Sequence, residues 1–360
     1  MARSSNITVL WHPPAGKDKE RERSVESVSQ RATTPRATIN GNLVTAFPIA
    51  DRGDVIYLAY LLLPMRAFMA FGRVLGWVAM LVKPRSRRAV RANLEQAFGP
   101  AKSRGEFARL TRQAFEFSHI RQLLVQVATL MAARGTLETY FPIQDIENLD
   151  GAIALGKGAI VIGSHVNSLG LILAVLQLRQ RGYDVRCPLP GDRDPWPQTP
   201  FRRFVNLLYG APPSLAVAIG AFHSQFNVRP LINLLNEKVV LMVSGDGLHS
   251  AAFADVDFLG RRLPFTSGAI SLAQVARCPV VPAFTVGAAH HLHFEFEPFF
   301  VVDRAGAAAD EIDRKVTQFI GRVEQRLLAD IPSWQYWFVE DVFSVFGRWR
   351  VRTIRERYAM

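Results

Sequence analysis

From about residue 150 onward, short apolar runs alternate with segments that have helical periodicity. The run AIVIG (159–163) leads into the helical stretch SLGLILAVLQLRQRG, and the runs VVLMV (239–243) and PVVPAF (279–284) each follow a helical segment. Repeated strand–helix–strand units of this kind build parallel sheets covered by helices. The alternation in HHLHFEFEP (290–298) is typical of an antiparallel strand. The sequence therefore predicts an α/β fold with a mixed, mainly parallel sheet flanked by helices.

A single histidine follows the first of these predicted strands. His165 lies in GKGAIVIGSHVNSLG (156–170), between the strand AIVIG and a helix for which Ser168 is the predicted N-cap. In α/β sheets, ligands bind beyond the carboxyl ends of the strands. A neutral imidazole at that place can take a proton from a hydroxyl or an amine. His165 is therefore a candidate general base, and the alternative is a histidine that only hydrogen-bonds its turn.

Two further loops are predicted to lie at the same edge of the sheet. The strand VVLMV ends in SGDG (244–247), which places Asp246 after a second parallel strand. The segment FLGRRLPFTSG (258–268) ends where another helix begins, and helix N-termini favour anions. Its candidate substrate-binding residues are Arg261, Arg262, Thr266 and Ser267. An ordinary turn aspartate and a plain helix cap are the alternatives for these two loops.

The N-terminal part has a different composition. Residues 1–50 are polar and predict a disordered tail. Residues 55–82 are apolar but are interrupted by Pro64, Arg66 and Arg73, and a basic cluster follows them. This pattern favours a helix at a membrane surface, with residues 51–92 as a membrane-associated segment, over a buried core helix. The remaining predicted units are the α/β domain (93–345) and a basic aromatic tail (346–360).

The charge and the cysteines restrict the setting in which this protein works. The 360 residues carry a formal net charge of +12, which favours an anionic partner such as an acidic membrane surface. The chain shows no recognised nucleic-acid module, so we expect no nucleic-acid partner. Its two cysteines, Cys187 and Cys278, lie in apolar runs and read as buried thiols in a reducing compartment.

The chain resembles the lipid A biosynthesis acyltransferases of lauroyl or myristoyl type, a family within the wider lysophospholipid-acyltransferase-like superfamily. The resemblance covers about residues 54–345, and the joint pattern is more specific than any single motif. The segments that carry it are RRAVRANLEQAF, ENLDGAIALGKGAIVIGSH, VVLMVSGDG, VDFLGRRLPFTSGAISLAQVARCPVVPAF and PSWQYWF.

The resemblance implies acyl transfer in lipid biosynthesis at the cytoplasmic face of a bacterial inner membrane, through a peripheral or single N-terminal anchor. His165 would deprotonate the hydroxyl or amine of a lipid or glycolipid acceptor, which would then attack the thioester of an acyl carrier protein or coenzyme A. The resemblance implies no metal and no other cofactor. The sequence also predicts substrate contacts at Asn167, Ser168, Arg193 and Glu340, in addition to the four residues of the 258–268 segment.

Two departures from the family pattern affect this interpretation. The family signature is His-x4-Asp/Glu, but here the fifth residue after His165 is Gly170. Asp246 is the first candidate for a replacement acid; Asp192 and Asp194 come next, Glu340 or Asp341 are further alternatives, and Asn167 or Ser168 would orient the ring weakly. The acids in FVEDVF (338–343) stand where lipid A enzymes tend to have basic residues, and acids there disfavour a phosphorylated sugar acceptor.

The sequence therefore leaves three functions open. The favoured one is an active membrane-associated acyltransferase with a rearranged acid. A catalytically impaired relative that binds lipid or an acyl carrier as a partner or regulator is the main alternative. The third hypothesis, a nucleic-acid-binding protein, is supported by the net positive charge alone. A metal site at His290, His291 and His293 is less favoured than a solvated face of an antiparallel strand that also carries Glu295 and Glu297.

Overall fold

The computed structural model describes residues 52–189, 199–212, 214–223, 228–247, 252–287, 292–303 and 308–346. The predicted tails, 1–50 and almost all of 346–360, therefore lie outside the described residues, as do Asp192, Arg193, Asp194, His290 and His291. The described residues from 52 onward belong to one compact unit, Pro48–Met360.

The described chain begins with four successive helices. They are α1 (Arg52–Leu62), α2 (Met65–Val82), α3 (Pro84–Phe98) and α4 (Arg104–Ala133). Pro64 separates α1 from α2 because a proline cannot continue the hydrogen-bond pattern of a helix. A capping box stabilises the start of α4, with the Ser103 hydroxyl accepting from the Glu106 N–H and the Glu106 carboxylate accepting from the Ser103 N–H. The domain boundary predicted at residues 92/93 lies inside α3.

The described strands form one large sheet and one hairpin. They are β1 (Ile143–Gln144), β2 (Ile160–Gly163), β3 (Val185–Leu189), β4 (Ala221–His223), β5 (Val240–Ser244), β6 (Phe253–Phe258), β7 (Arg261–Thr266), β8 (Val280–Val286) and β9 (His293–Phe296). The sheet order is β1-β9-β8-β2-β5-β3-β4, and β6 pairs with β7 in the antiparallel hairpin. Among the described sheet pairings β8–β9 alone is antiparallel. The predicted mixed, mainly parallel sheet is confirmed.

Further helices connect and cover the strands. They are α5 (Leu137–Tyr140), α6 (Glu147–Ile153), α7 (Leu169–Gln180), α8 (Pro200–Leu208), α9 (Leu215–Ala218), α10 (Val228–Asn236), α11 (Gly268–Ala276) and α12 (Ala308–Ala329). Two short 3₁₀ turns, Ile331–Ser333 and Gln335–Phe338, follow α12. The second turn carries fully buried Trp337, and Trp334 between the two turns is also fully buried. The C-terminal aromatic segment is therefore part of the core.

Helix α2 has two different faces. One face packs on α4 so closely that a Cβ atom at Gly76 would lie 2.5 Å from the Glu116 Cα, so only glycine fits there. The other face exposes large apolar side chains, including Val74 (57 % exposed), Trp77 (49 %) and Val82 (67 %). By length and composition, α2 is the one helix in the described part of the chain that could cross a membrane. The buried face shows that α2 is also an integral part of the helical layer.

Candidate active site

The register of two neighbouring parallel strands brings His165 and Asp246 together. Strand β2 pairs with β5, and the last residue of β2, Gly163, lies beside Ser244 at the end of β5. The Gly245 N–H continues the pairing by donating to the Gly163 carbonyl oxygen over 2.8 Å. Each functional side chain stands two residues after its strand. Equal spacing from a shared edge therefore places the imidazole beside the carboxylate.

The Asp246 carboxylate holds both the ring and the main chain of His165. The distance between His165 Nδ1 and Asp246 Oδ1 is 2.7 Å, and the His165 main-chain N–H donates to the same carboxylate over 2.8 and 2.9 Å. Asp246 is fully buried, whereas the His165 side chain is 22 % exposed. A carboxylate accepts hydrogen bonds, so Nδ1 carries the proton in this contact and Nε2 presents its lone pair. The arrangement has the geometry of a base with an orienting acid.

Gly170 cannot be replaced by the acid of the His-x4-Asp/Glu signature in this packing. A Cβ atom at Gly170 would lie 1.8 Å from the Thr285 Oγ1 of β8, and 2.7 Å from the Thr285 Cβ. The side chain of Thr285 fills the space that an aspartate at residue 170 would need. An acid at the fifth position after His165 therefore does not fit beside Thr285, and the carboxylate in contact with the ring comes from the loop after β5.

The other proposed ring-orienting residues have different contacts. Asn167 is buried and donates from Nδ2 to Asp330 over 3.3 Å, and its main-chain N–H donates to the Ser333 carbonyl oxygen. Ser168 occupies the N-cap position of α7, as predicted, but its hydroxyl does not cap the helix and donates to the Gln335 amide oxygen over 3.0 Å. Glu340 and Asp341, proposed as replacement acids, are solvent-exposed. Asp246, the first candidate, is the carboxylate that contacts the His165 ring.

The 258–268 segment divides into two parts. At its C-terminal end the Thr266 hydroxyl donates to the Gly245 carbonyl oxygen over 3.1 Å, so it supports the turn that carries Asp246. Ser267 is buried and its main-chain N–H donates to the Ala252 carbonyl oxygen, but its side chain makes no cap hydrogen bond to α11. This end of the segment therefore belongs to the edge of the sheet where His165 lies.

The two arginines lie at the opposite end of β7. Arg261 donates to the Gln96 carbonyl oxygen over 3.1 Å and lies 5.1 Å from the centre of the Phe343 ring. Arg262 pairs with Asp257 over 3.3 Å on the surface. A strand rises about 3.3 Å per residue, so Arg261 is roughly 16 Å from Thr266 along β7. The structure thus places the arginine pair away from the His165 loop.

A residue that the sequence analysis did not single out covers the free ring nitrogen. The Tyr336 hydroxyl lies 3.5 Å from His165 Nε2, and the two ring centres are 4.6 Å apart. The neighbouring Gln335 N–H donates to the His165 carbonyl oxygen over 3.1 Å. Burial and the negative charge of Asp246 raise the pKa of the Tyr336 phenol, so it stays protonated. The PSWQYWF motif had identified this segment without assigning a residue to the site.

A comparison with known families supplies an independent finding. Residues 53–195 match the family model of the bacterial lipid A biosynthesis acyltransferases. The match supports the resemblance predicted from the sequence over this part of the chain. A search of curated proteins gave no match. The family is one of acyl transfer to a lipid acceptor, in a biosynthesis that takes place at the bacterial inner membrane. The matched range contains His165 and Gly170, whereas Asp246 lies beyond it.

The described residues contain no group of three or more His, Cys, Asp and Glu side chains that could hold a metal ion. The β9 face predicted to be solvated is half-buried instead, because Glu295 and Glu297 form ion pairs with Arg326 and Arg322 of α12. Both cysteines are buried and unpaired, and burial raises the pKa of the Cys278 thiol to about 12.

Proposed function

We propose that this protein is a membrane-associated acyltransferase. It moves a fatty acyl group from the thioester of an acyl carrier protein or coenzyme A to a hydroxyl or amine of a lipid-like acceptor. His165 is the general base and Asp246 orients it. The observation that carries the proposal is the 2.7 Å contact between the fully buried Asp246 carboxylate and His165 Nδ1, in a chain whose residues 53–195 match the family model of the lipid A biosynthesis acyltransferases.

The reaction follows from the free lone pair on Nε2. As the acceptor oxygen or nitrogen attacks the thioester carbonyl carbon, Nε2 takes the proton of that O–H or N–H group. The tetrahedral intermediate then collapses, its carbon–sulfur bond breaks, and the departing thiolate recovers the proton from the imidazolium. The negative charge of Asp246 stabilises the imidazolium between the two steps. No acyl group stays on the protein, and His165 is neutral again at the end of the cycle.

The Tyr336 hydroxyl occupies the direction from which the acceptor must approach. At 3.5 Å from Nε2 it is at the long limit of a hydrogen bond, so it is a weak contact that an acceptor hydroxyl can displace. We therefore assign Tyr336 as the residue that the acceptor replaces at Nε2. Asn167, Ser168, Thr266 and Ser267 border this loop and remain the proposed substrate contacts; Arg193, Arg261, Arg262 and Glu340 remain proposals from the sequence.

The membrane association rests on two adjoining surfaces. The exposed apolar face of α2 is formed by Val74, Trp77, Val78, Leu81 and Val82. Directly after it, Lys83, Arg85, Arg87 and Arg88 are exposed at the start of α3. An apolar face next to basic side chains binds a leaflet that carries anionic lipids. These surfaces support attachment to the cytoplasmic face of the inner membrane, as a peripheral protein or through α2 as a single anchor.

The impaired-relative alternative rested on two features, the absence of an acid at residue 170 and the acidic pair Glu340 and Asp341. Asp246 provides a buried carboxylate at hydrogen-bond distance from the ring, so the first feature no longer favours loss of activity. The exposed acids Glu340 and Asp341 still distinguish this chain from a protein suited to a phosphorylated sugar. We therefore keep the acceptor class as a lipid with a reactive hydroxyl or amine.

The experiment is an acyl-transfer assay with the full chain in mixed micelles. Radiolabelled acyl thioesters of the carrier protein and of coenzyme A are offered with a lipid extract of bacterial inner membranes. We expect a labelled lipid product from the wild type and from His293→Ala, a matched variant on β9. His165→Ala should lose most of the activity, since a positioned general base contributes about 10²–10⁴-fold to a rate. Full activity of His165→Ala would refute the proposal.

A further inference from the structure

Arg121 is a partly buried cation close to the His165–Asp246 pair, which we call the dyad. No described carboxylate forms an ion pair with the Arg121 guanidinium. It lies in α4, and its Nη1 donates to the Gln335 amide oxygen over 2.8 Å and to the Ser168 hydroxyl oxygen over 3.2 Å. Both partners are neutral. Among the ion pairs of the described residues none includes Arg121. Burial lowers the pKa of its guanidinium, which is the direction that desolvation without a nearby anion produces.

The donors of this guanidinium are mostly unused. An arginine side chain has five N–H donors in a planar fork. The two hydrogen bonds that the described residues accept both come from Nη1, and Nη2 and Nε donate to no described residue. Removing a charged group from water without a counter-charge is costly, so such a position is retained when an anion completes it. The fork geometry matches the two oxygens of a carboxylate.

The position of Arg121 relative to the dyad indicates which molecule brings the anion. Ser168 is three residues after His165, and the Gln335 N–H donates to the His165 carbonyl oxygen over 3.1 Å. The next residue, Tyr336, contacts His165 Nε2. Consecutive residues of one 3₁₀ turn thus face Arg121 and the free ring nitrogen. A molecule whose hydroxyl replaces Tyr336 at Nε2 has its neighbouring groups beside Arg121, and that molecule is the acceptor.

We propose that Arg121, with Ser168 and Gln335, is a subsite for a carboxylate of the acceptor, so that the protein acylates a lipid-like hydroxy or amino acid. This inference rests on the proposed function and narrows its acceptor class. A single negative charge balances one guanidinium. A phosphate monoester would bring a second charge next to Asp246, and no further described cation is in contact with this cluster.

The test compares two acceptors that differ only in charge. A long-chain 3-hydroxy fatty acid and its methyl ester are offered to the full chain in the same micelles, with one acyl-coenzyme A donor. A charge-assisted hydrogen bond corresponds to about tenfold to 100-fold in affinity. We expect the wild type to prefer the acid by about that factor in kcat/KM, mainly through KM. Arg121→Gln should remove the preference, and Arg121→Lys should keep part of it.

Arg112→Gln is the matched control, because Arg112 lies on the exposed side of the same helix and pairs with Glu116. It should leave the preference unchanged. Equal losses for both acceptors in Arg121→Gln, with the ratio retained, would overturn the subsite, since a structural role or a role at the thioester oxygen does not distinguish acid from ester.

A binding measurement separates failure of the subsite from failure of the proposed function. The same acid and ester are titrated calorimetrically into His165→Ala, with and without Arg121→Gln. A preference for the acid that disappears with Arg121→Gln supports the subsite even where the wild type shows no turnover, and then only the proposed function fails. Equal affinity for the two molecules, or binding of neither, overturns the subsite.

Discussion

Replacing Asp246 by asparagine tests the dyad with the least change of shape. The amide oxygen can still accept the His165 main-chain N–H, which lies 2.8 and 2.9 Å from the two carboxylate oxygens. The variant loses the charge that stabilises the imidazolium, and the new NH₂ group favours the wrong ring tautomer. Because Asp246 is fully buried, solvent water does not replace the missing carboxylate.

The size of the effect follows from these contacts. A buried hydrogen bond to a charged group contributes about 1.5–3 kcal/mol, which is roughly tenfold to 150-fold in rate. Loss of the correct tautomer adds to this, and the corresponding change in a serine hydrolase triad lowers kcat by about 10⁴. We therefore expect Asp246→Asn to lower kcat by about 10²–10⁴, with a small change in KM.

The assay is single-turnover transfer from a labelled acyl thioester, with acceptor in excess. Asp257→Asn is the matched control, because Asp257 is a surface aspartate whose side chain is 78 % exposed. Thermal unfolding followed by circular dichroism verifies that both variants fold. A folded Asp246→Asn variant that keeps a rate within about threefold of the control would refute the role assigned to the carboxylate, because even one lost charged hydrogen bond costs more than that.

Three further predictions concern packing, membrane binding and thiol reactivity. Gly170→Ala should lower the free energy of unfolding in urea by about 1–3 kcal/mol, because the new methyl group overlaps Thr285, and Thr285→Gly should restore part of that loss; an unchanged midpoint would contradict the packing. Trp77→Glu should reduce cosedimentation with anionic vesicles, whereas Val275→Glu, an exposed apolar position outside α2, should not, and equal binding of both variants would contradict the assigned surface. The Cys278 thiol, with its pKa raised to about 12, should react slowly with a disulfide reagent at pH 8 in the native protein and quickly in denaturant, with the native rate rising as the pH increases; fast native reaction at pH 8 would show that it is accessible.

The fold and the dyad were predictable because they depend on local patterns and on one rule of sheet geometry. The strands that precede His165 and Asp246 are visible as apolar runs, and parallel strands expose their carboxyl ends at one edge. The antiparallel β9 strand was equally visible from its alternation. What the pattern could not provide was the order of the strands, which makes β2 and β5 neighbours.

The rest of the site depends on contacts between distant segments. Arg121 reaches Ser168 and Gln335 across 47 and 214 residues of sequence, and Tyr336 reaches His165 across 171 residues. Such distances leave no periodic signal in a single sequence. The steric reason for Gly170 is of the same kind, because it depends on how α7 packs against β8. The half-buried face of β9 was mispredicted because the arginines of α12 that cover it cannot be paired with Glu295 from the sequence.

The tautomer of the His165 ring is the most direct test of the claim that Asp246 replaces the acid that residue 170 lacks. Nitrogen-15 NMR of the full chain in micelles, at a pH where the ring is neutral, reports which ring nitrogen carries the proton. The 2.7 Å contact predicts a proton on Nδ1 and a bare Nε2 in the wild type, and a shift to the tautomer protonated on Nε2 in Asp246→Asn. A proton on Nε2 in the wild type would contradict the account, because that nitrogen could not act as the base.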